Sequence, residues 1–233
     1  ANQKAQEALE KKTAFMQDVT HQVRTPLNII IGFSQVIRDD HQAIPEEEME
    51  LILDAMQENS ENIQEIIEKM LTAGYLENRT SITKDTPFAC NDLCREIMSK
   101  IKLKCPETVK LNFDTSVPDS LTIIAHKQAF PKMLKQMLDN ANQFTKQGSI
   151  TLSCRQDDDN TVTFTVTDTG IGIAEADEER IFIPFFKLDY YSEGLGIGLN
   201  LVRRSAEVQG GTFYYDNTYH DGARFILTMP LKD

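Results

Sequence analysis

The stretch TVTFTVTDTGIG at residues 161–172 predicts the architecture of the C-terminal part of this chain. It begins with a strict alternation of Thr and apolar side chains, which is typical of a β-strand with one buried face. Asp168 continues the parity of Val162, Phe164 and Val166, so we expect its carboxylate to face the covered side of the sheet. Because a buried carboxylate requires hydrogen-bond donors, the strand end predicts a ligand site, and the amine of adenine with a water would supply such donors.

A second glycine-rich stretch, GLGIG at residues 194–198, precedes a predicted helix at about residues 197–209. A glycine-rich backbone that runs into a helix N-terminus lets amide N–H groups approach phosphates. The segment between the two glycine stretches has little periodicity. Together these features predict the hinges of a mobile lid over a nucleotide.

The sequence around these stretches predicts one sheet covered on one face by helices, an α/β two-layer sandwich. Asn140 lies on one of the predicted helices, and its amide oxygen is a ligand type that Mg²⁺ accepts. Gln136 lies one turn earlier on the same face, whereas Asp139 is rotated by about 100°. Helices are expected at about residues 91–104, 128–145 and 197–209, and strands at about 109–114, 121–124, 150–154, 161–167, 211–215 and 223–229.

The N-terminal part of the chain predicts two long amphipathic helices joined by a short polar turn. The first covers residues 1 to about 42, and the second runs from about Pro45 to Asn78. Two such helices bury too little apolar surface to be stable alone, so we expect a homodimer in which two helical hairpins form a four-helix bundle. Residues 79–88 lack a period and are predicted to be a linker, which gives domains at residues 1–78 and 89–233.

His21 is predicted to face solvent, because it lies opposite the apolar stripe of the first helix. Pro26 cannot donate a hydrogen bond to the carbonyl of Gln22, and its ring crowds that carbonyl. Since a proline in a helix interior costs about 3 kcal/mol, we expect the helix to bend or loosen near His21. By position alone, a solvated polar residue is the simpler interpretation of His21.

The overall composition excludes several classes of protein. The formal net charge of -12, from 24 basic and 36 acidic residues, disfavours binding to nucleic acid. No run of about 18 apolar residues is present to cross a membrane. The four cysteines lack CxxC spacing, and we expect reduced cytosolic thiols.

Five motifs, taken together, resemble the transmitter region of a sensor histidine kinase of two-component signalling. Such a region is a dimerisation and histidine phosphotransfer hairpin followed by an ATP-binding domain of the gyrase and heat-shock-chaperone type. The motifs occur in the order and spacing of the family and cover nearly the whole chain. They are HQVRTPLN at 21–28 (phosphoacceptor box), QMLDNANQFT at 136–145 (N box), DTGIG at 168–172 (first glycine box), IFIPFFKLD at 181–189 (F box) and GLGIGLNL at 194–201 (second glycine box).

The resemblance implies an ATP-dependent protein-histidine kinase that uses ATP and Mg²⁺. His21 would accept the γ-phosphoryl group and pass it to an aspartate of a response regulator receiver domain, and Thr25 matches a position linked to dephosphorylating that regulator. The family also implies a cytoplasmic location, as the cytosolic part of a membrane-anchored sensor, with no direct membrane contact by this region. The implied nucleotide-binding residues are Asn140 with Mg²⁺, Asp168 with adenine, Lys187 near the phosphates, Phe182 of the F box, and Gly170, Gly172, Gly194, Gly196 and Gly198 around the pocket and lid.

Three glutamines depart from the family pattern. Gln22 replaces the acid that commonly follows the histidine, and it cannot take up a proton at neutral pH. Gln136 and Gln143 replace an Asn and a Lys of the N box, and the second change removes a positive charge near the phosphates. These departures leave open a degenerate transmitter that acts as a dimeric receiver-binding scaffold. A chaperone-like or gyrase-like ATPase is disfavoured, because those relatives use a Glu at the position of Gln136 to activate water.

Overall fold

The computed structural model describes residues 2–40, 43–188 and 195–231. The chain divides into two compact units, of which the first contains Ala1–Ala73 and the second contains Gly74–Leu188 and Gly196–Asp233. In the described part of the chain, no helix combines the length and the apolar character that a bilayer span requires.

The first unit is a helical hairpin, as predicted. Helix α1 spans Asn2–Asp40 and helix α2 spans Glu46–Leu76, and α2 ends two residues before its predicted limit at Asn78. Helix α2 begins directly after Pro45 with three glutamates, and acidic side chains in a first turn are favoured by the helix dipole. Helix α1 is continuous through Pro26, whose ring is buried.

Much of the apolar surface of the hairpin is exposed. Val19 and Ile52 are buried, but many other apolar side chains on both helices lie open to solvent. Apolar helix faces of this extent are stable in water when a partner covers them. The exposed residues include Met16, Leu27, Ile31, Val36, Leu51, Leu53, Ile67 and Leu71.

The second unit is an α/β sandwich with a five-stranded mixed sheet. Its elements are β1 (Thr86–Ala89), α3 (Cys90–Lys102), β2 (Val109–Thr115), β3 (Thr122–Ala125), α4 (Ala129–Phe144), β4 (Gly148–Asp158), β5 (Thr161–Asp168), α5 (Gly198–Glu207), β6 (Thr212–Tyr215) and β7 (Arg224–Pro230). The order in the large sheet is β2-β4-β5-β7-β6, with only β2 and β4 parallel, and β1 and β3 form a separate antiparallel pair.

The core of this unit lies between the large sheet and helices α3, α4 and α5. Strand β5 is central, with Phe164 paired to Cys154 of β4 and to Leu227 of β7. Val162, Phe164, Val166 and Asp168 are all buried, so the predicted parity is confirmed. Phe130 of α4 packs edge-on against Phe164, which joins the helical layer to the sheet.

Residues 86–88 differ from the sequence-based prediction. The sequence pattern places them in the linker, because a four-residue strand is too short to show a period, but in the structure they belong to β1 and pair with β3. The segment from Glu77 to Asp85, between α2 and β1, has no regular structure.

Candidate functional site

Asp168 ends the central strand β5 and is only 2% exposed. Its Oδ1 accepts hydrogen bonds from the N–H groups of Gly170 at 2.8 Å and Ala223 at 3.3 Å. The N–H of Asp168 donates to the carbonyl of Ala223 at 2.9 Å. The carboxylate is therefore fixed between the end of β5 and the start of β7.

Burial raises the pKa of the Asp168 carboxyl, while the N–H groups of Gly170 and Ala223 and the hydroxyl of Thr145 act in the opposite direction. Its Oδ2 accepts no backbone hydrogen bond from any described residue. A donor from a ligand would satisfy that oxygen and offset the cost of burying the charge. The geometry thus suits an amine donor such as the one on adenine.

The glycines around Asp168 lie so close to neighbouring backbone atoms that a larger residue would collide with them. A Cβ on Gly170 would come within 2.4 Å of the Phe144 carbonyl oxygen, which belongs to the end of α4. Gly172 has a positive φ of 69°, and a Cβ there would meet the Gly222 carbonyl oxygen at 3.2 Å. The first glycine box therefore lies against the end of α4 on one side and the β6–β7 turn on the other.

Thr145, Gly222 and Ala223 also lie at this site, although the sequence patterns do not single them out. Thr145 is fully buried, and its hydroxyl makes no hydrogen bond of good geometry with a described residue although it lies near Asp168. Thr145 is the last residue of the N box, and this position in the motif could have indicated that it belongs to the site. Ala223 gave no signal, because its N–H reaches Asp168 through the pairing of β5 with β7.

The second glycine box leads into α5, which begins at Gly198 without a side-chain cap. The first N–H to close a helical turn is that of Leu201, which donates to the Ile197 carbonyl. The N–H groups of Gly198, Leu199 and Asn200 are consequently free of intrahelical partners, which makes this helix end suited to an anion such as a phosphate. Gly194 lies outside the described residues.

The N box meets this helix end. A Cβ on Gly198 would lie 2.6 Å from Nε2 of Gln136, so the side chain of Gln136 crosses the start of α5. Asn140, one turn later on α4, is half-buried, and its side chain has no hydrogen bond to the described part of the chain. An amide oxygen is a ligand that Mg²⁺ accepts together with waters and phosphate oxygens, so Asn140 fits a magnesium ion.

The F box serves the site indirectly through Phe182. Its ring is buried in the core against Phe213 and Phe225, and the guanidinium of Arg203 lies 3.3 Å from its centroid. The Phe182 carbonyl accepts a hydrogen bond from Asn200 Nδ2 at 3.0 Å. The ring therefore anchors the loop in the core of the unit.

The residues after Phe182 bring the F box against the second glycine box. Phe185 has a positive φ of 71°, and its N–H donates to the Gly196 carbonyl at 2.8 Å. A Cβ on Gly196 would meet the Phe186 carbonyl oxygen at 2.6 Å and Cγ of Lys187 at 3.2 Å. Lys187 thus lies beside the second glycine box, where its charge can act on a phosphate.

The phosphoacceptor motif lies in the first unit. His21 is exposed on α1, and its carbonyl accepts a hydrogen bond from the Thr25 hydroxyl at 3.4 Å. Gln22 is half-buried and Thr25 is exposed. The imidazole is therefore accessible from solvent, as the helical wheel predicted.

Comparison with known families assigns both units. Residues 11–79 match the His Kinase A (phospho-acceptor) domain, and residues 126–233 match the Histidine kinase-, DNA gyrase B-, and HSP90-like ATPase family. The chain belongs to the histidine kinase family. The matches cover the hairpin and most of the α/β unit of this histidine kinase transmitter.

Curated relatives match along almost the whole chain. The transmitter is 26% identical over 234 residues to the Aerobic respiration control sensor protein ArcB of Escherichia coli, covering 96% of this chain and 30% of the relative. It is 29% identical over 237 residues to the Circadian input-output histidine kinase CikA of Synechococcus elongatus, covering 97% of this chain and 31% of the relative. The chain thus spans about a third of the length of these relatives.

Solved structures of histidine kinases share the fold. The catalytic domain of histidine kinase ThkA aligns with a TM-score of 0.57 at 28% identity, covering 64% of this chain and 98% of that domain. Histidine kinase ThkA in complex with the response regulator protein TrrA aligns with a TM-score of 0.65 at 25% identity, covering 99% of this chain and 65% of that one.

Proposed function

We propose that this transmitter transfers the γ-phosphoryl group of ATP to His21 and then to an aspartate of a response regulator receiver domain. The observation that carries the proposal is the set of features found in one chain: a solvent-exposed histidine on a helical hairpin, and a buried carboxylate and an uncapped helix N-terminus that both belong to one ATPase-family unit. Dephosphorylation of the same receiver, with Thr25 positioning water, is part of the proposal.

ATP would bind to the α/β unit through complementary charges and donors. Asp168 accepts from the adenine amine, and the free N–H groups at the start of α5 together with Lys187 contact the phosphates. Asn140 would hold Mg²⁺, which neutralises charge on the phosphate oxygens when bound. Gly170, Gly172, Gly196 and Gly198 keep the backbone close to the nucleotide.

His21 would act as the nucleophile. A neutral imidazole carries a lone pair on one ring nitrogen, which forms the bond to the γ-phosphorus while the bond to the β–γ bridging oxygen breaks and ADP leaves with that electron pair. The proton on the other ring nitrogen then passes to solvent. Gln22 can accept a hydrogen bond from that nitrogen but has no basic lone pair to take the proton.

The partners follow from the exposed surface of the hairpin. Its open apolar side chains suit a second copy of the chain in a four-helix bundle. A receiver domain is the proposed acceptor because ThkA, which aligns along 99% of this chain, was solved with a response regulator. The location as the cytosolic part of a membrane-anchored sensor remains a prediction from the family.

The proposal is tested by incubating the protein with Mg-ATP labelled at the γ-phosphate. We expect an acid-labile, base-stable phosphoprotein that is lost in His21→Ala and in Asn140→Ala, whereas His41→Ala, a control at another histidine of the N-terminal region, retains the label. Labelling that persists in His21→Ala would contradict the proposal. Release of phosphate without labelled protein would instead indicate an ATPase, and nucleotide binding with neither outcome would indicate a receiver-binding scaffold.

A further inference from the structure

The segment that leaves α2 packs onto α5. Leu76 is 2% exposed and Ile82 is 8% exposed, and both form a small apolar cluster with Val208, which directly follows α5. Leu201 of α5 and Ala129 of α4 pack against the same cluster. The N–H of Ile82 also donates to the Val208 carbonyl at 3.1 Å. The segment from Leu76 to Ile82 is therefore attached to the α/β unit by both apolar contacts and a backbone hydrogen bond.

Arg204 of α5 adds polar contacts to the same segment. Its Nε donates to the Leu76 carbonyl at 3.3 Å, and its Nη2 donates to the Arg79 carbonyl. Its Nη1 pairs with Glu207 Oε2 at 3.0 Å, which holds the guanidinium in place. Leu76 is the last residue of α2, and its carbonyl also accepts a hydrogen bond from the N–H of Arg79 at 3.2 Å, so Arg204 adds a second donor at this helix end.

The boundary between the two compact units falls inside α2, between Ala73 and Gly74. Gly74 is exposed, and a Cβ there would meet no atom within 4 Å, so packing does not require glycine at this position. The hydroxyl of Thr72 donates back to the Glu68 carbonyl at 2.8 Å. A glycine in a helix interior and a back-bonded threonine both weaken or bend helices, and here they are two residues apart.

We propose that Arg204 holds the segment from Leu76 to Ile82 on α5, so that this segment moves with the α/β unit and the pivot between the two units lies inside α2 at residues 72–74. Arg204 is then a positioning residue, because it acts on the chain that joins the units and does not contact substrate. The inference goes beyond the proposed function, since it concerns where the chain bends. Its first test does not require phosphoryl transfer.

Hydrogen exchange on the whole chain tests the attachment by Arg204. We expect the amide of Ile82 to exchange at least about tenfold more slowly than in an unstructured peptide, and Arg204→Gln to remove most of that protection. Arg155→Gln is the matched control, because Arg155 is exposed and pairs only with Asp114, at 3.0 Å, in the described structure. Equal exchange in the two variants, or unprotected exchange at Ile82 in the unaltered chain, would overturn the proposal.

Gly74→Ala tests the pivot, with Gly32→Ala of α1 as its control because a Cβ on Gly32 also meets no atom within 4 Å. We expect amides 74–78 of the unaltered chain to exchange faster than those in the middle of α2, and Gly74→Ala to slow them roughly fivefold. If His21 accepts phosphate as proposed, Gly74→Ala also slows labelling severalfold with nucleotide affinity unchanged, and Gly32→Ala does not. Amide exchange that is uniform along α2 and unaffected by Gly74→Ala would place the pivot elsewhere. This outcome can be read from hydrogen exchange even if phosphoryl transfer to His21 is not observed in any variant.

Discussion

At the end of β5, the Asp168 carboxylate is almost fully buried, and burial raises its pKa against the lowering effect of two N–H donors and the nearby Thr145 hydroxyl. An acid whose folded pKa is raised contributes stability below its unfolded pKa and loses that contribution as pH rises through the folded pKa. At neutral pH the charged carboxylate therefore opposes folding, and the donors of a bound ligand would offset this cost.

Asp168→Asn is predicted to stabilise the free protein and to weaken nucleotide binding. The amide carries no charge to desolvate, but the NH₂ group that replaces Oδ2 cannot accept a hydrogen bond from an adenine amine. We expect ATP affinity to fall roughly 10- to 100-fold, the value of a hydrogen bond to a charged group. Calorimetric titration and urea unfolding at pH 7 measure the two effects.

Unfolding at acidic pH distinguishes this explanation from a packing effect. The stability gain of Asp168→Asn should shrink as pH falls through the folded pKa, because the carboxyl of the unaltered protein is then neutral as well. Asp158→Asn is the control. The backbone N–H of Asn160 lowers the pKa of the exposed Asp158 carboxyl, so the stability that this carboxylate contributes to the unaltered protein is lost as pH falls. A gain for Asp168→Asn that does not change with pH would contradict the charge-burial explanation.

At the scale of elements, the turn between β6 and β7 closes on the end of β5. Gly222 has a φ of 154°, and a Cβ at this position would lie 2.1 Å from the Asp168 carbonyl oxygen. Neither backbone can move without breaking the hydrogen bond between the Asp168 N–H and the Ala223 carbonyl. This turn therefore belongs to the proposed nucleotide site, and an added side chain at Gly222 would force it away from β5.

Gly222→Ala is predicted to lower the free energy of unfolding by about 1–3 kcal/mol and to weaken nucleotide binding. The physical reason is the forced separation of the β6–β7 turn from Asp168. Gly32→Ala, where the added methyl group meets open space, should instead raise the stability by about 0.5–1 kcal/mol. Denaturant unfolding of both variants measures the difference, and equal effects would show that the contact at Gly222 relaxes freely.

For the F box, the sequence pattern and the packing in the structure suggest different roles for the same side chain. The match to the family's F box implies that Phe182 contributes to the nucleotide site. In the structure the ring is in the core, and the loop reaches the second glycine box through the backbone of Phe185. A linear pattern identifies the segment but does not determine which of its side chains turns inward.

At the scale of the whole molecule, the thiols of the α/β unit report its global unfolding. Cys90, Cys94 and Cys154 are fully buried and none forms a disulfide. The hydrogen bond with Cys154, and then burial, raises the pKa of Cys90. For Cys154, contact with Cys90 lowers the pKa, but contact with Cys94 and burial outweigh it and raise the pKa to about 12. Thiols in this state are poor nucleophiles.

We therefore predict that a thiol reagent at pH 8 modifies one cysteine of the native protein early, the half-buried Cys105, and the other three only as the protein unfolds. The rate for the slow three should rise with urea in parallel with the unfolding transition. Cys105→Ser is the control that removes the early reaction. Reaction of all four thiols at one rate in the native protein would contradict a closed core.

The sequence by itself predicted the two long helices and most elements of the sandwich, though not β1, and it indicated the residues that are proposed to carry chemistry. Periodicity is a local property, so it located the long helices, the strand of residues 161–168 and the inward face that carries Asp168. Motif spacing placed His21, Asn140 and the glycine boxes. Only the tertiary structure decided which backbone groups meet: the Ala223 N–H at Asp168, Gln136 at Gly198, and Arg204 at the end of α2. These contacts join residues up to 128 positions apart, and such pairings depend on strand register and helix packing, which no local pattern records.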